Sequence, residues 1–185
     1  GIQKAYPGIS LFAYEALASS GARAAGKDLY GPQSLPIVNL ASASRILSID
    51  CDFLGNDPVG EESLAEYSST RNPDRKGGIS RLYSVEPSFT LTGGQADHRY
   101  RLPSSQMLAM TALLAKEVGA RLGDAALSGL ADAVASRLVG QVYNQAWIRE
   151  CAADLVSEKG KAVVLAGGRL SKPVHLLVAA VNKAL

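Results

Sequence analysis

The sequence predicts an α/β fold of three layers, with helices on both faces of a mainly parallel sheet of four or more strands. Three observations carry that expectation. Short apolar runs that fit buried strands recur at residues 9–14, 44–50, 81–86 and 161–167. Longer stretches with helical spacing separate the later runs, and such alternation implies βαβ units. Three of these strand candidates end on acids and the fourth on Gly167-Gly168, as loops at the carboxyl edge of a parallel sheet require.

Taken in order, Ile9-Ser10-Leu11-Phe12-Ala13-Tyr14-Glu15 reads as a first strand ending on an acid. Ala16 to Tyr30 is rich in alanine and reads as a helix, closed by Gly31-Pro32. A polar connection leads to Arg45-Ile46-Leu47-Ser48-Ile49-Asp50, the second strand, which opens through Asp52 into Gly55-Asn56-Asp57-Pro58. The polar region that follows holds a short helix around 61–68 and an exposed loop at 70–78. Leu82-Tyr83-Ser84-Val85 is the next strand, stopped by Glu86-Pro87, since proline cannot donate to a ladder. Ser104 to Leu122 places Met107, Met110, Leu114 and Val118 on one helical face as core residues. Gly123-Asp124 separates it from helices carrying Leu127, Leu130, Val134 and Leu138, then Trp147, Ile148, Cys151 and Leu155, with a break near Gly140. Ala162-Val163-Val164-Leu165-Ala166 is a strand running into Gly167-Gly168. A last helix starts near Ser171, with Pro173 in its first turn, and runs to Leu185.

Composition narrows the class. The chain has 185 residues, 47% hydrophobic and 19% charged, enough for one sizeable core and read as one domain over 1–185. A net charge of +2 gives no argument for nucleic acid or an anionic membrane surface. Charges and glycines interrupt every apolar run, so no direct membrane insertion is expected. Cys51 and Cys151 alone cannot ligate zinc or an iron–sulfur cluster. The opening at Gly1, straight into patterned sequence, reads as a fragment of a larger protein.

Functional residues concentrate at the strand ends. Glu86, followed by Thr90, Thr92 and Gly93-Gly94, combines an acid with a loop whose backbone can approach a ligand closely. Asp50 and Asp52 either bind a ligand or cap the following turn. Asp97-His98-Arg99 packs three functional side chains together, but neighbours in a loop point different ways, so salt bridges by Asp97 and Arg99 are the expected use. His175 reads as a packing or hydrogen-bonding residue and Trp147 as a packing anchor. No nucleophile or metal pattern supports a catalytic carboxylate pair, and no catalytic or metal residue is assigned.

Two ordered sets of residues carry a resemblance. They are Ser48-Ile49-Asp50-Cys51-Asp52-Phe53-Leu54-Gly55 and Val85-Glu86-Pro87 through Thr92-Gly93 to Ala96-Asp97-His98-Arg99. Gly160 to Gly167, Pro173-Val174-His175 and Asn182-Lys183-Ala184-Leu185 extend the likeness towards the end of the chain. The sequence resembles the molybdopterin-oxidoreductase-like large subunit of alternative complex III, and more distantly the Rossmann-like nucleotide-holding domain of the dimethyl-sulfoxide-reductase superfamily. The resemblance implies a larger, exported parent on the periplasmic side of a membrane, with iron–sulfur domains and membrane-bound electron-transfer partners. It also implies a molybdopterin guanine dinucleotide edge formed by Asp50, Asp52, Gly55, Asn56, Glu86, Thr92 and Asp97. The sequence departs from that pattern at Pro103-Ser104-Ser105-Gln106, where neutral residues replace the acid that pairs with guanine. Two readings follow: a dinucleotide-binding domain of a redox enzyme, and a cofactor-free scaffold of an electron-transfer complex. The chain by itself is expected to bind guanine nucleotides weakly or not at all.

Overall fold

The structure is a computed structural model that describes all residues except 11, 13–19, 32–36, 58, 61 and 137–142. Among the described residues, a four-stranded, all-parallel sheet forms its centre, in the order β3-β2-β1-β4. The strands are β1 (Arg45–Ile49), β2 (Arg81–Glu86), β3 (His98–Arg101) and β4 (Ala162–Ala166). The helices are α1 (Ile2–Ala5), α2 (Ser20–Tyr30), α3 (Ser63–Thr70), α4 (Leu91–Gln95), α5 (Met107–Leu122), α6 (Ala125–Ala135), α7 (Gln145–Ser157) and α8 (Lys172–Ala184).

Strands β1, β2 and β4 form where the sequence is apolar, and alternate residues serve opposite faces. Leu47, Ile49, Tyr83, Val85 and Val164 pack into a core with α5, α7 and α8. Ile46, Leu82 and Leu165 face the other way, where Tyr67 of α3, Phe53, Leu40 and Ala43 cover them. Phe53 and Tyr67 meet edge to face, with centroids 5.5 Å apart. This is the expected three-layer α/β arrangement.

Local chemistry sets the helix boundaries. Asp124 caps α6 by accepting from Leu127 N–H at 2.9 Å, and Asn144 caps α7 by accepting from Trp147 N–H at 3.0 Å. Gly123, at φ 67°, supplies the left-handed turn that ends α5. At β4, the two backbone groups of Val164 that face away from β1 are both taken by Asn182 of α8. Val164 N–H donates to Asn182 Oδ1, and Asn182 Nδ2 donates to Val164 O, each at 2.8 Å. A side-chain amide thus stands at β4's outer edge where a further strand would pair.

The expected strands at 44–50, 81–86 and 161–167 are all present. Of the first expected strand, only Ile9, Ser10 and Phe12 are described, and none of them is in a strand. Its remainder, including Tyr14-Glu15, lies outside the described residues, as do Gly140 and the start of the helix placed at 16–30. The helix placed around 61–68 runs from Ser63 to Thr70. Two elements went unrecognised in the sequence. The Gly/Thr stretch read as a loop winds into α4, and the charged HRYR segment forms the edge strand β3. Glycines mask the first, and alternating charged residues mask the second. Among the described residues, no helix is long and apolar enough to cross a membrane.

Candidate functional site

Parallel strands bring the ends of β1, β2 and β4 to one edge, and the strand order reverses between β1 and β4. Asp50 sits at that reversal. Its N–H donates to Val85 O at 2.7 Å, while Gly167 N–H donates to Ile49 O at 3.0 Å, so its backbone is clamped between neighbouring strands. It adopts φ 45°, the left-handed region that Asp tolerates better than most residues. A Cβ on Gly167 would fall 1.8 Å from Asp50 O, so only glycine permits this approach. The Asp50 side chain is 2% exposed. Oδ1 accepts from Arg169 Nη2 at 2.9 Å, and Oδ2 is buried without a hydrogen-bond partner among the described residues. Burial pushes its pKa up; Asp57 and Glu86 add to that rise, and Arg169 offsets only part of it.

The next acid is used differently. Asp52 Oδ1 accepts from Thr92 N–H at 3.0 Å and Oδ2 from Asn56 N–H at 3.1 Å. Leu54 N–H in turn donates to Thr92 Oγ1 at 3.1 Å, binding the loop after β1 to α4. Burial pulls the Asp52 pKa upward, but the donors from Thr92 and Asn56 outweigh it and hold the carboxyl below its usual range. Gly55 packs so closely that a Cβ there would lie 2.3 Å from Asp52 Oδ2. Asn56 contributes its backbone N–H, and its side chain is exposed. Asp57 Oδ2 accepts from Gly168 N–H at 2.8 Å, closing the same edge towards β4.

Glu86, 2% exposed, ends β2 within a ring of its own partners. Thr90 Oγ1 donates to Oε2 at 2.6 Å, and Arg99 Nε donates to Oε1 at 2.5 Å. A Cβ on Gly93 would fall 1.8 Å from Glu86 Oε1, so the carboxylate fills the hollow that this glycine leaves open. Thr90 also caps α4, accepting from Gly93 N–H at 3.1 Å. Arg99 lies over the ring of Phe89, 5.0 Å from its centroid.

The structure therefore gathers Asp50, Asp52, Gly55, Asn56, Glu86 and Thr92 at one edge and sends Asp97 to the other. Asp97 precedes β3, so it lies at the amino edge, where its Oδ2 accepts from Leu82 N–H at 2.8 Å. Arg71 grips it with two bonds, at 2.8 and 3.0 Å. Burial pulls the Asp97 pKa upward, yet Arg71 and Leu82 hold it below the usual range. Asp97 and Arg99 each make a salt bridge, but to Arg71 and Glu86 rather than to each other. His98 is exposed and stacks on Tyr83. His175 has a buried Nε2 with no partner among the described residues, and burial lowers its pKa. The sequence reading missed Arg169 as the partner of Asp50 and Arg71 as that of Asp97. The position of Arg169, straight after the strand-ending glycines, was the available signal for the first. Nothing near Arg71 announces the second.

A guanine dinucleotide fits these residues poorly. The N–H groups of Asn56, Thr92, Gly93 and Gly168, which could meet a pyrophosphate, already donate to Asp52, Thr90 and Asp57. Ser104-Ser105-Gln106 forms a short 3-10 helix and offers no carboxylate to the guanine edge. Among the described residues, no group of three or more His, Cys, Asp or Glu side chains is arranged to hold a metal ion. No protein family and no curated protein matches this chain.

Proposed function

We propose that this chain is a cofactor-free α/β scaffold domain of a membrane-associated electron-transfer complex, one that positions neighbouring domains and membrane-bound subunits. The sequence resemblance supplies that context: an exported parent related to molybdopterin oxidoreductases. One observation carries the choice of scaffold over cofactor site. Glu86 occupies the Gly93 hollow and is held there by Thr90 and Arg99, so the chain's own carboxylate stands where a ligand would approach. Displacing it would leave a buried charge short of partners, a loss of roughly 1–3 kcal/mol before any new contact forms.

One feature favours the second reading, a domain that binds the dinucleotide in the parent enzyme. Asp50 keeps a buried oxygen with no partner among the described residues at the strand-order reversal, beside the exposed Arg169. Calorimetry of the chain with GDP tests the scaffold reading against a nucleotide site held by the chain itself. The scaffold reading expects no measurable heat of binding. Submicromolar binding that disappears in Glu86→Ala would replace it with the dinucleotide reading.

A further inference from the structure

Away from the carboxyl edge, the sheet face beneath α7 carries a connected set of aromatic rings. Tyr83, in the middle of β2, is 5% exposed. Its ring stacks on His98 with centroids 4.8 Å apart, and meets Trp147 edge to face at 5.7 Å. Trp147 lies 5.4 Å from Tyr100, and both of these rings are half-buried. The register explains the grouping. Tyr83 is paired with His98 and Val85 with Tyr100, so the rings share a face, and α7 lays Trp147, Cys151 and Asp154 across it. The Tyr83 hydroxyl donates to Asp154 Oδ2 at 2.9 Å. That carboxylate is fixed by Arg81 at 2.8 Å and by an ion pair with Arg45 at 2.7 Å.

We propose that this cluster is a one-electron relay: an oxidising equivalent entering at Trp147 passes to Tyr83 and is held there as a neutral tyrosyl radical. An external one-electron oxidant removes an electron from the Trp147 indole and is itself reduced. Tyr83 returns an electron to the indole, restoring it. The phenolic proton of Tyr83 moves along its existing hydrogen bond to Asp154. Tyr83 has then lost one electron and one proton, the oxidant has gained the electron, and Asp154 holds the proton.

Each step has a structural reason. The rings are in contact, so no hop crosses open solvent. Burial and the neighbouring Asp154 push the Tyr83 pKa up to about 12, so the phenol keeps its proton until the electron leaves. Once oxidised, a phenol is a far stronger acid than any carboxylic acid. Asp154 can therefore accept the proton even though its arginines hold it below the usual carboxylate range. Tyr100, on the other side of Trp147, accepts from Asn144 N–H at 3.1 Å, and among the described residues no carboxylate meets its hydroxyl. It can exchange an electron with Trp147 but has no comparable base.

The relay does not depend on whether the domain is a scaffold. The test is flash photolysis of the whole chain with tris(bipyridine)ruthenium and a sacrificial electron acceptor, read by electron paramagnetic resonance and transient absorption. The wild-type chain should give a tyrosyl signal whose rise slows in deuterium oxide, because a proton moves with the electron. Tyr83→Phe, which keeps the ring and its stacking, should lose that signal and leave one centred on tryptophan. Trp147→Phe should slow the rise. An undiminished tyrosyl signal in Tyr83→Phe, carried by another of the seven tyrosines, overturns the assignment. A rise unchanged in both deuterium oxide and Trp147→Phe overturns the relay without recourse to the Tyr83 variant.

Discussion

Asp50 combines three unfavourable features, namely a left-handed backbone, a buried charge and an oxygen without a partner among the described residues. Burial, the largest influence on its pKa, disfavours the charged form. An acid whose folded pKa is raised loses stability as pH climbs from the unfolded value, about 3.9, through the folded one. Asp50→Asn removes the charge, keeps the shape and suits the same backbone region. The variant should be more stable than wild type at neutral pH by about 0.5–2 kcal/mol, the range of single stabilising substitutions. The advantage should shrink as the pH approaches 4, the unfolded value. Urea unfolding across that range checks it, and a variant weaker than wild type at neutral pH would show that the Arg169 pair dominates.

At the scale of elements, β4 is the apolar run AVVLA, with β1 on one side. An unpaired edge of that composition invites pairing with another chain. Asn182 meets the danger at its centre by bonding both outward groups of Val164. Asn182→Ala should cost about 1–3 kcal/mol, the worth of two hydrogen bonds of roughly 0.5–1.5 kcal/mol each. It should also increase self-association. Denaturant unfolding checks the first, and sedimentation velocity across a concentration series checks the second. A variant that stays as stable as wild type would show that water replaces the amide without loss.

Across the whole molecule, two ionic clasps hold the amino edge of the sheet. Asp154 joins α7 to Arg45 of β1 and Arg81 of β2. Asp97 joins the start of β3 to Leu82 of β2 and to Arg71, just after α3. Both carboxyls are held below their usual pKa, against burial, by those partners. Their contribution is present above the unfolded value and is lost as pH falls through the lowered folded values. Stability should therefore decline below about pH 4. Asp154→Asn should flatten the decline and cost roughly 1–3 kcal/mol at neutral pH. Chemical unfolding between neutral and acid pH checks both, and an unchanged acid limb in the variant would place the loss at other carboxylates.

Periodicity and punctuation alone determined the strands at 44–50, 81–86 and 161–167, the amphipathic helices after Ser104 and the three-layer class. These features are local. An apolar run bounded by Pro87 or by Gly167-Gly168 reads the same wherever it finally packs. The same reasoning placed acids at one edge, since parallel strands send all their ends one way. It went no further, because a carboxylate's role depends on residues distant in the chain. Asp52 is spoken for by Thr92, Asp57 by Gly168, one oxygen of Asp50 by Arg169 and Glu86 by Arg99. Asp97 stands next to His98 and Arg99 in the sequence, yet tertiary structure turns it to the opposite edge and pairs it with Arg71. The aromatic cluster has the same origin, because its rings come from β2, β3 and α7 and meet only when the helix is laid on the sheet. Residue type sets what a group can do; the partners that folding brings within 3 Å of Asp52 and Glu86 decide what is left for it to do.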